Sequence, residues 1–249
     1  MFHIFRRKNR DNLIDLSGIA IDMHSHLLPG IDDGAADAST SIALLNGLIQ
    51  TGLKGFITTP HILWDLYRND DVSIGNALDT LTETAKIQGL NFSISAAAEY
   101  MMDDHFTSLV NNKSDLRRIA DNYVLVEFSF VGLPYNWKEL FFNLQLQGYQ
   151  PILAHPERYG FLSATPQIFQ EIVAMGVLLQ VNLNSLTGYY GKSAYQLAQY
   201  LSKHKLVSFL GTDLHHQRHI DALLNSNTLM PEINTILASG KILNSKLSE

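Results

Sequence analysis

The chain has 249 residues, 46% of them hydrophobic, with a formal net charge of −6; an α/β barrel uses about that length, roughly 250 residues, as one domain. An acidic balance without a long basic run argues against nucleic acid as the main partner. The absence of cysteine excludes disulfides, thiolate-bound zinc, iron–sulfur clusters and any cysteine nucleophile.

Residues 1–18 precede the first strand candidate and read as an N-terminal extension to a domain spanning 19–249. The opening "MFHIFRRKNR" is basic and aromatic, but no apolar stretch of signal-peptide length follows it. Nothing elsewhere approaches a membrane span. The expectation is a cytoplasmic protein with a solvated tail; the alternative is peripheral contact of that tail with an anionic membrane.

Strand candidates follow in order: "GIAIDM" (18–23), "GFITT" (55–59), "FSISAAA" (92–98), "YVLVEF" (123–128), "PILA" (151–154), "VLLQVN" (177–182) and "LVSFLGT" (206–212). Several are near-continuous apolar runs, as strands covered on both faces are. Helical periodicity fills 35–51, where Ile42, Leu45, Leu48 and Ile49 share a face and Gly52 is a stop, and recurs at 73–88, 136–147, 165–175 and 190–204. Alternating strands and helices predict a parallel sheet, either closed into a barrel or opened as a doubly wound sheet.

Six of the seven strand candidates end in metal-ligand types. His24 and His26 follow the first, His61 the second, Glu99 the third; Glu127 closes the fourth, His155 follows the fifth, and Asp213 and His215 follow the seventh. The sixth ends in Asn182 and Asn184, weak ligands. In a parallel barrel these ends share one face. A His-x-His pair leaving a strand puts both imidazoles on one side, within reach of one ion. With Asp33, from the Asp32–Asp33 pair, the set holds five histidines and four carboxylates, enough for two or three ions. Without sulfur it suits Mn, Fe, Zn or Mg. His3, His105, His204, His216 and His219 lack this setting and are given no role.

The stretches "DMHSHLLPGIDDGA", "TPH", "AAAEY", "VEFSF", "AHPERY" and "GTDLH" resemble the polymerase-and-histidinol-phosphatase (PHP) superfamily, and within it the CpsB/CapC/YwqE branch of bacterial tyrosine phosphatases. The resemblance runs over about residues 19–215. It implies a distorted (β/α)7 TIM-like barrel with three divalent ions, often manganese. It assigns His24, His26, Glu99 and Asp213 to the first ion, Glu99, Glu127 and His155 to the second, and Asp33, His61 and His215 to the third, with Asp32 as the alternative to Asp33. Arg158 matches the family's phosphate-binding arginine and, with Asp213 and His215, forms the implied catalytic group. The implied substrate is a phosphotyrosine-bearing protein, namely a tyrosine kinase of capsule or exopolysaccharide synthesis.

The expected chemistry is attack on phosphorus by metal-activated hydroxide, with the ions and Arg158 holding the non-bridging oxygens. Tyr100, Phe128, Phe130, Tyr135 and Tyr159 lie near the mouth in sequence; they either sandwich the substrate ring or pad the rim and core. "TGYYGKSAY" (187–195) is given no role. The competing readings are a small-molecule phosphatase such as histidinol-phosphatase, a barrel that has lost catalysis, and a C–N hydrolase. The last commonly uses a lysine at a strand end, and no strand candidate ends in one.

Overall fold

The computed structural model describes residues 14–248. The basic run and His3 of the expected extension lie outside the described residues. Ile14 and Leu16, just ahead of the first strand, are buried in the main core.

The elements run β1 (Ile21–Asp22), α1 (Ala38–Ile49), β2 (Gly55–Thr58), β3 (His61–Ile62), α2 (Asp71–Ile87), β4 (Ser93–Ala96), β5 (Glu99–Met101), α3 (Asp104–Asn111), β6 (Tyr123–Glu127), α4 (Trp137–Leu146), β7 (Gln150–Ala154), α5 (Ile168–Ala174), β8 (Leu178–Asn182), α6 (Leu183–Leu186), α7 (Lys192–Lys203), β9 (Phe209–Gly211), α8 (Gln217–Leu224) and α9 (Leu229–Leu237). All strand pairs are parallel, in the orders β1-β2-β4 and β3-β5-β6-β7-β8-β9.

The two sheets are parts of one ring. Pro60 has no N–H to offer a ladder, so β2 stops at Thr58, within the second predicted strand, and the same stave resumes beyond that prediction as β3. The third is continued by β5 after a break at Ala97–Ala98. Ala97 N donates to Thr58 O (2.9 Å) and Glu99 N to Pro60 O (3.1 Å), which carries the pairing across both breaks. Seven staves result: β1, β2/β3, β4/β5, β6, β7, β8 and β9. A parallel bridge between Ser25 and Leu214 closes them, with Asp213 N donating to His24 O at 2.7 Å. Buried Asp22 ties the same seam, accepting from Thr212 N (2.9 Å) and Thr212 Oγ1 (2.6 Å). Below it, Asn244 Nδ2 donates to Ile21 O (2.9 Å) and Leu210 O (2.7 Å). This is the distorted (β/α)7 barrel.

Strand alternation sorts the side chains. Val124 and Val126 face the helices, while Leu125 joins Met23, Ile57, Ile152, Ala154 and Phe209 in a separate cluster that fills the barrel. The next residue of the Leu125 parity is Glu127, so an acid stands where the apolar filling stops. The helices bury their apolar faces outside the strands: Ile42, Leu44, Leu45 and Leu48 from α1, and Ile74, Ala77, Leu81 and Ala85 from α2. Asp37 caps α1 by accepting from Thr40 N, and Asp70 and Ser73 form a capping box on α2. The segment after His215 forms α8 and α9. No helix among the described residues is long and apolar enough to cross a membrane.

Candidate metal centre

His24, His26, His61, Glu99, Glu127, His155, Asp213 and His215 converge at the C-terminal mouth of the barrel. His24 Nε2 lies 3.2 Å from Glu99 Oε2 and 3.5 Å from Asp213 Oδ1; His26 Nε2 is 3.4 Å from both. His155 Nε2 stands 2.9 Å from Glu99 Oε1 and 3.6 Å from Glu127 Oε2. His61 Nδ1 faces Glu99 Oε2 (3.2 Å) and Glu127 Oε1 (3.1 Å), while its Nε2 faces Asp33 Oδ1 at 3.5 Å. His215 Nε2 meets the same Asp33 oxygen at 3.5 Å. Glu99, Glu127, His24, His26, His155 and Asp213 are buried, and Asp33 is open to solvent.

Three of the rings are locked in orientation. His24 donates from Nδ1 to Gln180 Oε1 (2.8 Å), His26 to Asp32 Oδ2 (2.8 Å) and His215 to the Asp213 carbonyl (2.9 Å). Each therefore leaves its Nε2 turned toward the cluster, the orientation in which a metal-ligating imidazole is held by a partner on its other nitrogen. Asp32 serves His26 from behind, and Asp33 is the aspartate that faces the centre.

The set fits cations. Glu99 Oε2 and His61 Nδ1 are buried without a hydrogen-bond partner among the described residues, although oppositely polar atoms surround them. Donor atoms crowded together in this way, without hydrogen bonds to satisfy them, suit a shared cation. Four groups bring ligand atoms within 4.8 Å: His26, Asp33, His61 and His215; His24, His26 and Asp213; His24, Glu99 and His155; His61, Glu99 and Glu127. These groups share members, and His61 stands with Glu99 and Glu127 as well as with Asp33.

Burial alone would raise the carboxyl pKa of Glu99 and Asp213. His24 and His61 hold Glu99 well below the ordinary value, and His24, His215 and Arg158 do the same for Asp213. His155 (φ 32°) and Asp213 (φ 49°) both occupy left-handed backbone. Strain at two non-glycine candidate ligands marks a site that the surrounding fold over-determines.

Arg158 sits at the edge of the cluster, its Nη1 2.8 Å from Asp213 Oδ2. It lines a cavity of ≈ 250 Å³ together with Asp33, His61, Glu127, His155, Asp213, His215, Phe130, Tyr190, His216 and His219. Of the aromatic candidates, Phe128, Tyr159 and Tyr100 belong to the core. Phe130 alone borders the cavity, stacked on His155 at 5.7 Å.

The sequence profile of the CpsB/CapC family, capsular polysaccharide synthesis, matches residues 20–228. The chain belongs to this family. YwqE of Bacillus subtilis strain 168, a tyrosine-protein phosphatase, is 30% identical over 196 residues, 79% of this chain and 77% of its own length. CpsB of Streptococcus pneumoniae, also a tyrosine-protein phosphatase, is 27% identical over 203 residues, 79% of this chain and 83% of its own. Among solved structures, a chain of the pair YwqE from B. subtilis and CpsB from S. pneumoniae, described as metal-dependent tyrosine phosphatases, aligns with a TM-score of 0.77 and 28% identity. That alignment covers 92% of this chain and 91% of the other.

In this CpsB/CapC member several residues behind the candidate ligands are not evident from sequence. Gln180 holds His24 and passes a hydrogen bond to Asn182 (2.9 Å), whose Nδ2 donates to Asp213 Oδ2 (2.7 Å). Their i, i+2 spacing on β8 is the available signal, although amides read as poor ligands. His219, given no role from sequence, accepts from the backbone N–H of His215 at 3.3 Å. His105 stays outside, stacked on Trp64 at 3.8 Å.

Proposed function

We propose that the chain is a metal-dependent protein-tyrosine phosphatase of capsule or exopolysaccharide synthesis, acting on a phosphotyrosine-bearing tyrosine kinase. The convergence of orphaned ligand atoms on Glu99 Oε2, with Arg158 at the edge, carries this reading. The relatives named tyrosine-protein phosphatases give it its substrate class. A kinase draws on ATP, which gives the cytoplasm as the setting.

Three divalent ions are the proposed complement, with manganese first among them. His24, His26, Glu99 and Asp213 would hold one; Glu99, Glu127 and His155 a second; and Asp33, His61 and His215 a third. Such ions would lower the pKa of water from about 15.7 toward about 7 and offset the charge of a phosphate dianion.

The protein's own groups do the rest. Arg158 presents a planar fork to the phosphoryl oxygens. Asp213 and Asn182 keep that fork turned toward the cavity. The leaving phenolate, with a conjugate-acid pKa of about 10, departs with less proton help than an alkoxide. The lack of cysteine removes the cysteinyl-phosphate route.

Phosphate release from a phosphotyrosyl peptide and from histidinol phosphate, compared with added manganese, tests the reading. The peptide is expected to show the higher kcat/KM. Chelation is expected to abolish activity and thiol alkylation to leave it unchanged. Preference for histidinol phosphate would keep the centre and move the chain to small-molecule chemistry.

A further inference from the structure

Arg158 rests against two aromatic rings, 4.3 Å from the centroid of Tyr190 and 4.8 Å from that of Phe130. The Tyr190 hydroxyl is buried and has no hydrogen-bond partner among the described residues, yet Tyr190 lines the cavity that holds Arg158, His155 and Asp213. A buried hydroxyl without a partner is uncommon and costs stability.

The backbone holds it there. Tyr189 and Tyr190 stand between Gly188 (φ +83°) and Gly191 (φ +89°), and Gly191 N donates to Gly188 O at 2.9 Å. Two left-handed residues three apart are easy for glycine alone, so the turn between α6 and α7 delivers Tyr190 to a set position. Asp213, the nearby carboxylate, is already engaged. Its Oδ2 takes Arg158 Nη1 (2.8 Å) and Asn182 Nδ2 (2.7 Å), while its Oδ1 faces His24, His26 and His215.

We propose that the Tyr190 hydroxyl is a catalytic hydrogen-bond donor to the phosphoryl group that Arg158 binds, and that its ring positions the Arg158 guanidinium. The proposal rests on the phosphatase reading above and assigns a residue to it. Burial, and then Asp213, push the Tyr190 pKa far above its ordinary value, so the group remains a donor throughout the working pH range. A phosphate dianion beside Arg158 supplies the acceptor that the protein does not.

The test is Tyr190→Phe, which keeps the ring on Arg158 and removes only the hydroxyl. With metal-loaded protein, kcat/KM on 4-nitrophenyl phosphate and on phenyl phosphate is expected to fall by the same factor, on the order of ten- to a hundredfold, as for a lost hydrogen bond to a charged group. Inorganic phosphate, titrated calorimetrically, is expected to bind more weakly, while the melting temperature holds or rises. Tyr190→Ala is expected to lose more, because the ring no longer backs Arg158. Wild-type kcat/KM and phosphate affinity in Tyr190→Phe would overturn the proposal. So would a loss confined to phenyl phosphate, since the acceptor would then be the phenolic oxygen. Failure of wild type to hydrolyse either ester would sink the phosphatase reading instead, and phosphate titration of the two proteins would still decide the role of Tyr190.

Discussion

His26 donates from Nδ1 to Asp32 Oδ2 at 2.8 Å, while the neighbouring Asp33 turns its carboxylate toward His61 and His215. Two adjacent aspartates thus take different jobs, one orienting a ring and one facing the centre. Asp32→Ala frees the His26 ring without removing a donor to the centre. Metal affinity, read by calorimetric titration, is expected to fall about 10–100-fold, as for other lost orienting partners. An unchanged affinity would leave Asp32 as an ordinary loop residue.

The same loop depends on Gly34. A Cβ there would lie 2.2 Å from His26 O and 2.5 Å from His26 Cβ. Gly34 N also donates to Asp32 Oδ1 at 3.0 Å. Gly34→Ala must therefore push the loop off the strand end and carry both aspartates with it. The expected result is a protein with nearly unchanged circular dichroism and much reduced metal binding. Full binding in that variant would contradict the close approach.

Ion uptake should release protons. In the metal-free protein, burial and the nearby His26 oppose a proton on His61, but Glu99 and Glu127 outweigh them and raise its pKa to about 9. A folded value above the unfolded one, about 6.5, means that this proton stabilises the metal-free fold at low pH. The contribution is lost as pH rises through about 9. A cation requires the ring unprotonated, so apparent metal affinity is expected to climb between pH 7 and 9. Titrations at pH 7 in two buffers with different ionisation heats should give different observed enthalpies. Identical heats would show that no proton leaves.

Asp22 anchors the barrel seam by accepting from both the backbone and the hydroxyl of Thr212. Asp22→Ala leaves the buried Thr212 N–H unpartnered and its hydroxyl with only the longer bond to His24 O (3.3 Å), at an expected cost of roughly 1–3 kcal/mol. Urea unfolding of the metal-free protein measures it directly. A stability change near zero would mean that the seam rests on the Ser25–Leu214 bridge, its backbone bonds and Asn244.

The strand ends were legible because most of the strands are apolar runs that stop at a ligand type, the sixth candidate with its Asn182 being the exception. Leu125 fills the barrel and Glu127, two residues on, faces the centre. The break before β3 was also written in the chain, as Pro60, but a proline reads as a strand end rather than as a kink in a continuing stave. The division of labour between Asp32 and Asp33 was not legible, since identical neighbours differ only in how the loop turns them. Gln180 and Tyr190 were hidden for another reason. Their roles exist only once His24 and Arg158 arrive from distant staves.

The seam between β1 and β9 also sets a clock. Thr212 and Asp22, which close the ring, are 190 positions apart in the chain. His24 and His26 leave the ribosome about 190 residues ahead of Asp213 and His215. At about 5–20 residues per second, the two histidines wait on the order of 10–40 s for the partners that complete their pocket. During that interval the pair lacks the Asp213 and His215 that stand beside it in the folded ring. Choice of the correct ion therefore belongs to the finished ring, and a cell that loads this protein correctly must either keep competing metals scarce or let them exchange after the chain is released.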